Sequence, residues 1–199
     1  MGIKLSIHQP EHFPYLGFFK KMEESDVFVV LDNVQYKKNN FQNRNRFLNK
    51  NEIEEWFTVQ IEKGSSKRLI NEVRVSEDFR WKNKIMKQLL MNFKKDYGFI
   101  YEDKELLIDI NMASILHFKS MLGIESKIIM ASEISTTTSK TDLLVDICKE
   151  VGASTYISGH GGKSYLELNK FTDSFIDIEF INYIPRNYYS IVQNIEGGL

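Results

Sequence analysis

Residues 7–17, Ile-His-Gln-Pro-Glu-His-Phe-Pro-Tyr-Leu-Gly, set two of the chain's four histidines and two of its three prolines in one bend. An imidazole titrates near neutral pH, so either His8 or His12 could donate to a phosphate or act as an acid or a base. Their i, i+4 spacing is that of a helical zinc pair, but Pro10 and Pro14 break any helix between them, and no metal site is expected. Each imidazole fits a structural role capping the bend equally well. Gly17 would let a ligand approach the backbone closely.

Two further polar segments follow strand-like runs. Residues 33–46 hold five Asn, two Gln, two Lys and two Arg with no acidic side chain, an anion-attracting composition in which Tyr36 and Phe41 add stacking surfaces. A solvated surface loop is the plain alternative. Residues 156–165, Tyr-Ile-Ser-Gly-His-Gly-Gly-Lys-Ser-Tyr, place His160 among three glycines. The first glycine of a P-loop would fall at Ile157, so that pattern fails; a backbone nest that binds an anion together with Lys163 is the expectation instead. Residues 62–68 are a weaker segment of the same kind. Together the loops predict an electropositive, aromatic cleft at the carboxyl ends of a parallel sheet, shaped for a phosphorylated small molecule.

The elements that must position these loops alternate in βαβ order. Strand-like runs occur at 3–7, 27–31, 56–61, 127–130, 155–158 and 175–183. The helix after Pro14 carries Tyr15, Leu16, Phe18, Phe19 and Met22, which puts His8 and His12 at the carboxyl end of the first strand. Trp81, Ile85 and Leu89, with Met86, Leu90, Phe93 and Tyr97, predict a core-facing helix that Gly98 ends. A second helix is expected over 104–122 with Leu107, Ile110, Ala113 and Met121 inward. A third is expected behind Ser139 as N-cap, with Leu143, Leu144, Ile147, Cys148 and Val151 inward.

With 199 residues, 42% of them hydrophobic, the chain predicts one well-filled α/β domain. A formal charge of −1 argues against a general nucleic-acid binder. The single cysteine, Cys148, offers neither a disulfide framework nor a structural zinc site and reads as a small buried thiol. No apolar run reaches the ~20 residues of a membrane-spanning helix, and no signal-peptide core is seen, so a cytoplasmic location without membrane insertion is expected. Met-Gly-Ile-Lys-Leu-Ser fits the myristoylation pattern, but residues 4–7 are better used as a core strand.

His8-Gln9-Pro10 followed by Pro14-Tyr15-Leu16-Gly17 resembles the opening of the WbqC-like family. The likeness continues through Ser25-Asp26-Val27-Phe28, Leu31-Asp32-Asn33-Val34-Gln35-Tyr36, Phe41-Gln42-Asn43-Arg44-Asn45 and Ile157-Ser158-Gly159 with Tyr165-Leu166. Such proteins are associated with O-antigen and other surface polysaccharide clusters, and a glycine transferase role has been suggested for them. The family usually continues with a Leu-Ser-x-x-Asp-Leu-Leu-Phe segment where this chain stops at Gly197-Gly198-Leu199, so a further terminal helix is expected. A looser likeness, in Glu24-Ser-Asp-Val-Phe-Val-Val-Leu31, is to the nucleotidylyltransferase and pantothenate synthetase superfamily. Its His-x-Gly-His signature falls on Tyr15-Leu16-Gly17-Phe18, which lacks both imidazoles.

These likenesses imply a three-layer α/β fold, a mostly parallel sheet with helices on both faces, as a nucleotidylyltransferase-like Rossmann variant. They also imply a transferase that forms an amide on a nucleotide-linked amino sugar, taking an acyl or aminoacyl donor and requiring no cofactor. His8, His12 and His160 are the expected catalytic groups. Gln9, Tyr15, Gly17, Asp32, Gln35, Tyr36, Asn43, Arg44, Arg46, Ser158, Gly159 and Lys163 are the expected substrate or phosphate contacts. An ATP-dependent ligase working through an acyl-adenylate and a non-catalytic nucleotide-sugar-binding module are the alternatives. A homo-oligomer is compatible with the sequence and not required by it.

Overall fold

The structure, a computed structural model, describes residues 2–195; Met1 of the lipidation pattern and the Gly197-Gly198-Leu199 ending lie outside the described residues. In chain order the elements are β1 (Ile3–His8), α1 (Leu16–Glu23), β2 (Val27–Val30), β3 (Arg44–Leu48), β4 (Glu54–Thr58), α2 (Arg80–Phe93), α3 (Leu107–Met121), β5 (Lys127–Met130), α4 (Lys140–Val151), β6 (Ala153–Ser158), α5 (Leu168–Thr172), β7 (Asp177–Phe180) and α6 (Ile191–Ile195). They fall into two compact units, each assembled from three stretches of chain. One is Met1–Gln9, Gly17–Leu31 and Gly123–Ile184; the other is Pro10–Leu16, Asp32–Leu122 and Pro185–Leu199.

The first unit is a five-stranded parallel sheet in the order β5-β2-β1-β6-β7. The crossover from β1 through α1 to β2 runs toward one edge, whereas β5 through α4 to β6, and β6 through α5 to β7, run toward the other. Right-handed crossovers therefore put α1 on one face and α4 with α5 on the opposite one, and α4 and α5 pack together. This is the expected three-layer α/β arrangement. All four residues of β2, Val-Phe-Val-Val, are buried, as a strand covered on both faces requires. Gly152, at φ 73°, ends α4 in the left-handed conformation and lets β6 start at once. The direction of winding reverses between β1 and β6, whose carboxyl ends lie side by side.

The second unit holds the antiparallel hairpin β3–β4 together with α2 and α3. Phe13, Phe47, Phe57 and Phe118 have no exposed surface, and each such burial contributes about 2–3 kcal/mol. Phe13 adopts φ 47°, a strained value for a bulky residue, and the Asn45 Nδ2 group holds the bend by donating to the carbonyls of His12 (3.2 Å) and Phe13 (2.8 Å).

Several sequence expectations are corrected. Of the run at 56–61 only residues 56–58 are strand, in β4 and outside the parallel sheet, where Phe57 packs on Phe47 while Glu54 and Trp56 face the other side of the hairpin. Residues 62–68 thus follow a hairpin and do not lie at the parallel sheet's carboxyl edge. The strand expected at 175–183 is confined to Asp177–Phe180. Helix α2 stops at Phe93, since Lys94 turns left-handed at φ 52° and its N–H closes on the Leu90 carbonyl; Leu90 itself is exposed. Helix α3 starts at Leu107, and its inner face is Leu107, Ile110, Asn111, Ser114, Ile115 and Phe118, leaving Met121 exposed. Ser139 occupies the N-cap position of α4, but its hydroxyl makes no cap bond.

Candidate functional site

The site is built where the winding reverses, at the ends of β1 and β6. His8 closes β1, and its Nδ1 lies 2.9 Å from the Gln9 carbonyl oxygen. A carbonyl only accepts, so Nδ1 carries the proton and Nε2 presents its lone pair. The ring stands edge-on to Phe18 at 4.9 Å. Burial, then the positive charge of Lys21, lowers its pKa to about 3 against the opposing Gln9 bond, so the imidazole is neutral at physiological pH. Lys21, on the inner side of α1, donates to the Ile7 carbonyl at 2.6 Å. A buried lysine on the apolar side of a helix gives no sequence signal.

One strand away, β6 ends in Ser158 and Gly159 and leads into a 3-10 turn, His160–Ser164. The expected anion-binding nest does not form: none of Gly159, Gly161 and Gly162 has the positive φ that a nest alternates. The three glycines have different causes. A Cβ on Gly162 would fall 2.1 Å from Ser158 Oγ, so packing requires that glycine. A Cβ on Gly159 or Gly161 would meet nothing within 4 Å. Neither backbone conformation nor packing demands a glycine there, and what the two supply is open main chain. His160 and Lys163 are exposed on the same turn, with the Lys163 ammonium 5.0 Å from the Phe180 ring centroid. His8, Gln9, Gly17, Ser158, Gly159, His160 and Lys163 all belong to this sheet unit.

His12, Tyr15, Asp32, Gln35, Tyr36, Asn43, Arg44 and Arg46 belong to the other unit. His12 has no exposed surface; Phe13, Phe57 and Tyr101 surround it at ring distances of 5.0–5.8 Å. Its Nε2 lies 3.2 Å from the Tyr101 hydroxyl, and burial lowers its pKa to about 3 against hydrogen bonding by Asn111. So enclosed, His12 takes the structural role of the two that its sequence position allowed. The 33–46 segment is only partly a solvated loop: Tyr36, Gln42, Asn43 and Asn45 are buried, whereas Gln35, Lys37, Lys38 and Asn39 are exposed. Asn43 bonds the Val59 carbonyl at 3.0 Å, and Asn111 bonds that of Gln42 at 2.8 Å. Gln35 is exposed and donates to Ser66, and Tyr15 stands 5.6 Å from Tyr188.

Outward on the hairpin, the Arg44 guanidinium lies 4.4 Å over the Trp56 ring; Arg46 lies 5.6 Å from that ring and 5.7 Å from Tyr189. Arg46 is also paired with Glu54 at 3.0 Å. No spacing in the sequence announces a ring shared by two arginines across a hairpin.

Among the described residues no group of three His, Cys, Asp or Glu side chains could hold a metal ion, and no helix is long and apolar enough to cross a membrane. The uncharacterized protein Rv1507c of Mycobacterium tuberculosis is 26% identical over 192 residues, covering 90% of this chain and 82% of that protein. No solved structure matches the chain. The family model described as the WbqC-like protein family matches residues 9–196, and the chain belongs to that family.

Proposed function

We propose that the protein is a transferase that forms an amide, with a glycyl or other acyl group, on a nucleotide-linked amino sugar for surface polysaccharide synthesis. The observation that carries this reading is the open main chain of Gly159 and Gly161, one strand away from the lone pair of His8. Glycines that neither conformation nor packing requires are suited to a ligand lying directly against the backbone.

In the proposed reaction the sugar's amine nitrogen attacks the acyl carbon, the amine proton leaves, and the acyl carrier departs. His8 accepts at Nε2 while Nδ1 stays bonded to Gln9. With a pKa of about 3 His8 is a weak base in the free protein, so it acts only as a transient acceptor, taking the proton of the tetrahedral adduct and passing it at once to the departing group. His160, Lys163 and the loop N–H groups supply donors to the carbonyl oxygen as it gains charge.

The test is a melting-temperature screen with UDP-, dTDP- and GDP-linked amino sugars. A ligand at 100 times its dissociation constant adds about 2.7 kcal/mol of stability. The expected result is a rise with at least one sugar that Gly159→Val abolishes, because the new side chain fills the open space. Melting points unmoved by all three sugars refute the reading. Release of pyrophosphate from ATP with an amino acid would replace it with the acyl-adenylate ligase.

A further inference from the structure

We propose that Arg44, Arg46 and Tyr36 form a binding site for a phosphate-type oxyanion on the outward side of the β3–β4 hairpin. The site lies wholly within the second unit and does not rest on the function proposed above.

Arg46 sits opposite Trp56 in the hairpin register, and Arg44, two residues earlier, shares its face. A guanidinium held against an aromatic ring can still offer its in-plane N–H groups to an oxyanion. One end of each group is committed within the protein: Arg44 Nη2 to the Asn39 carbonyl at 2.7 Å, and Arg46 Nη1 to Glu54 at 3.0 Å. The Nε–H of both arginines has no acceptor, although each is shielded from water. The Tyr36 hydroxyl is in the same condition, and it lies within the field of Arg44.

Buried donors without an acceptor are rare in folded proteins and call for an ion or a water. Here two of the three are cationic. Three donors from three side chains match the several oxygens of a tetrahedral phosphate better than the two of a planar carboxylate. Both arginine side chains are half-buried, so presenting Nε–H to an anion requires the guanidinium to turn about its Cδ–Nε bond and exchange its present bond to Asn39 or Glu54 for one to the ligand.

The experiment titrates the intact protein with inorganic phosphate, pyrophosphate and UDP, following the arginine Nε–H signals by NMR and affinity by calorimetry. Pyrophosphate is expected to shift the Arg44 and Arg46 signals. Arg44→Lys and Arg46→Lys, which keep the charge and lose the fork, should each weaken binding about tenfold or more. Tyr36→Phe is the sharper variant: it removes an unsatisfied hydroxyl, so melting in anion-free buffer holds or rises while pyrophosphate affinity falls. UDP binding more tightly than pyrophosphate assigns the site to a nucleotide, and equal affinity for inorganic phosphate assigns it to a simple phosphate; both uphold an oxyanion site. Unmoved Nε–H signals, or lysine and phenylalanine variants that bind like wild type, overturn it. The two proposals fail separately, since pyrophosphate binding requires no sugar, and Gly159→Val leaves the hairpin untouched.

Discussion

His8 and His12 are the same residue type four positions apart, and their surroundings give them different work. His12 is wrapped by three aromatic rings with no exposed surface, whereas the His8 residue is only partly buried and feels the charge of Lys21. Two causes keep His8 neutral, burial and the lysine's charge, and they can be separated. In Lys21→Met the charge is gone while much of the buried volume remains, so the His8 pKa should rise from about 3 toward the ordinary 6.5 without reaching it. Imidazole nitrogen NMR across pH 3–8 reads this directly. An unchanged His8 titration in that variant assigns the whole shift to burial.

The loop after β6 sorts its glycines by cause, which yields a contrast within one short element. Gly159→Ala and Gly161→Ala place a methyl in open space at an ordinary φ, so stability should stay within about 0.5 kcal/mol of wild type or rise slightly as the unfolded chain loses freedom. Gly162→Ala drives a Cβ onto Ser158 Oγ and close to Leu166, and overpacking of that kind costs about 1–3 kcal/mol. Urea unfolding of the three variants checks the order. A destabilised Gly161→Ala with an unaffected Gly162→Ala would show that the turn is built otherwise. The same contrast explains what the sequence disclosed here. Three clustered glycines marked the loop, but the neighbour that makes only one of them obligatory, Ser158, emerges from the fold.

The parallel strands were readable because β-branched and aromatic residues run unbroken through 27–30 and a β-branched pair, Ile128-Ile129, centres 127–130, and the ligand edge followed from their order. The second unit was not. Its hairpin turns Asn45 inward and Arg44, Arg46 and Trp56 outward, reversing the usual link between polarity and exposure, and each unit is interleaved from three stretches with no linker to mark a boundary. That unit's enclosed histidine bears on the stability of the molecule in acid. The pKa of His12 is about 3 when folded and about 6.5 when unfolded, so between these values the unfolded chain binds a proton that the folded one refuses. Its contribution is complete above pH 6.5 and is lost as pH falls toward 3, at about 1.4 kcal/mol per pH unit. His8, whose pKa is lowered to about 3 as well, adds a slope of the same sign. Denaturant unfolding at pH 7, 5.5 and 4.5 should show stability falling through that range. His12→Gln, although less stable at pH 7, should show a slope shallower by about 1.4 kcal/mol per unit; an equal slope in both proteins would place the acid sensitivity elsewhere.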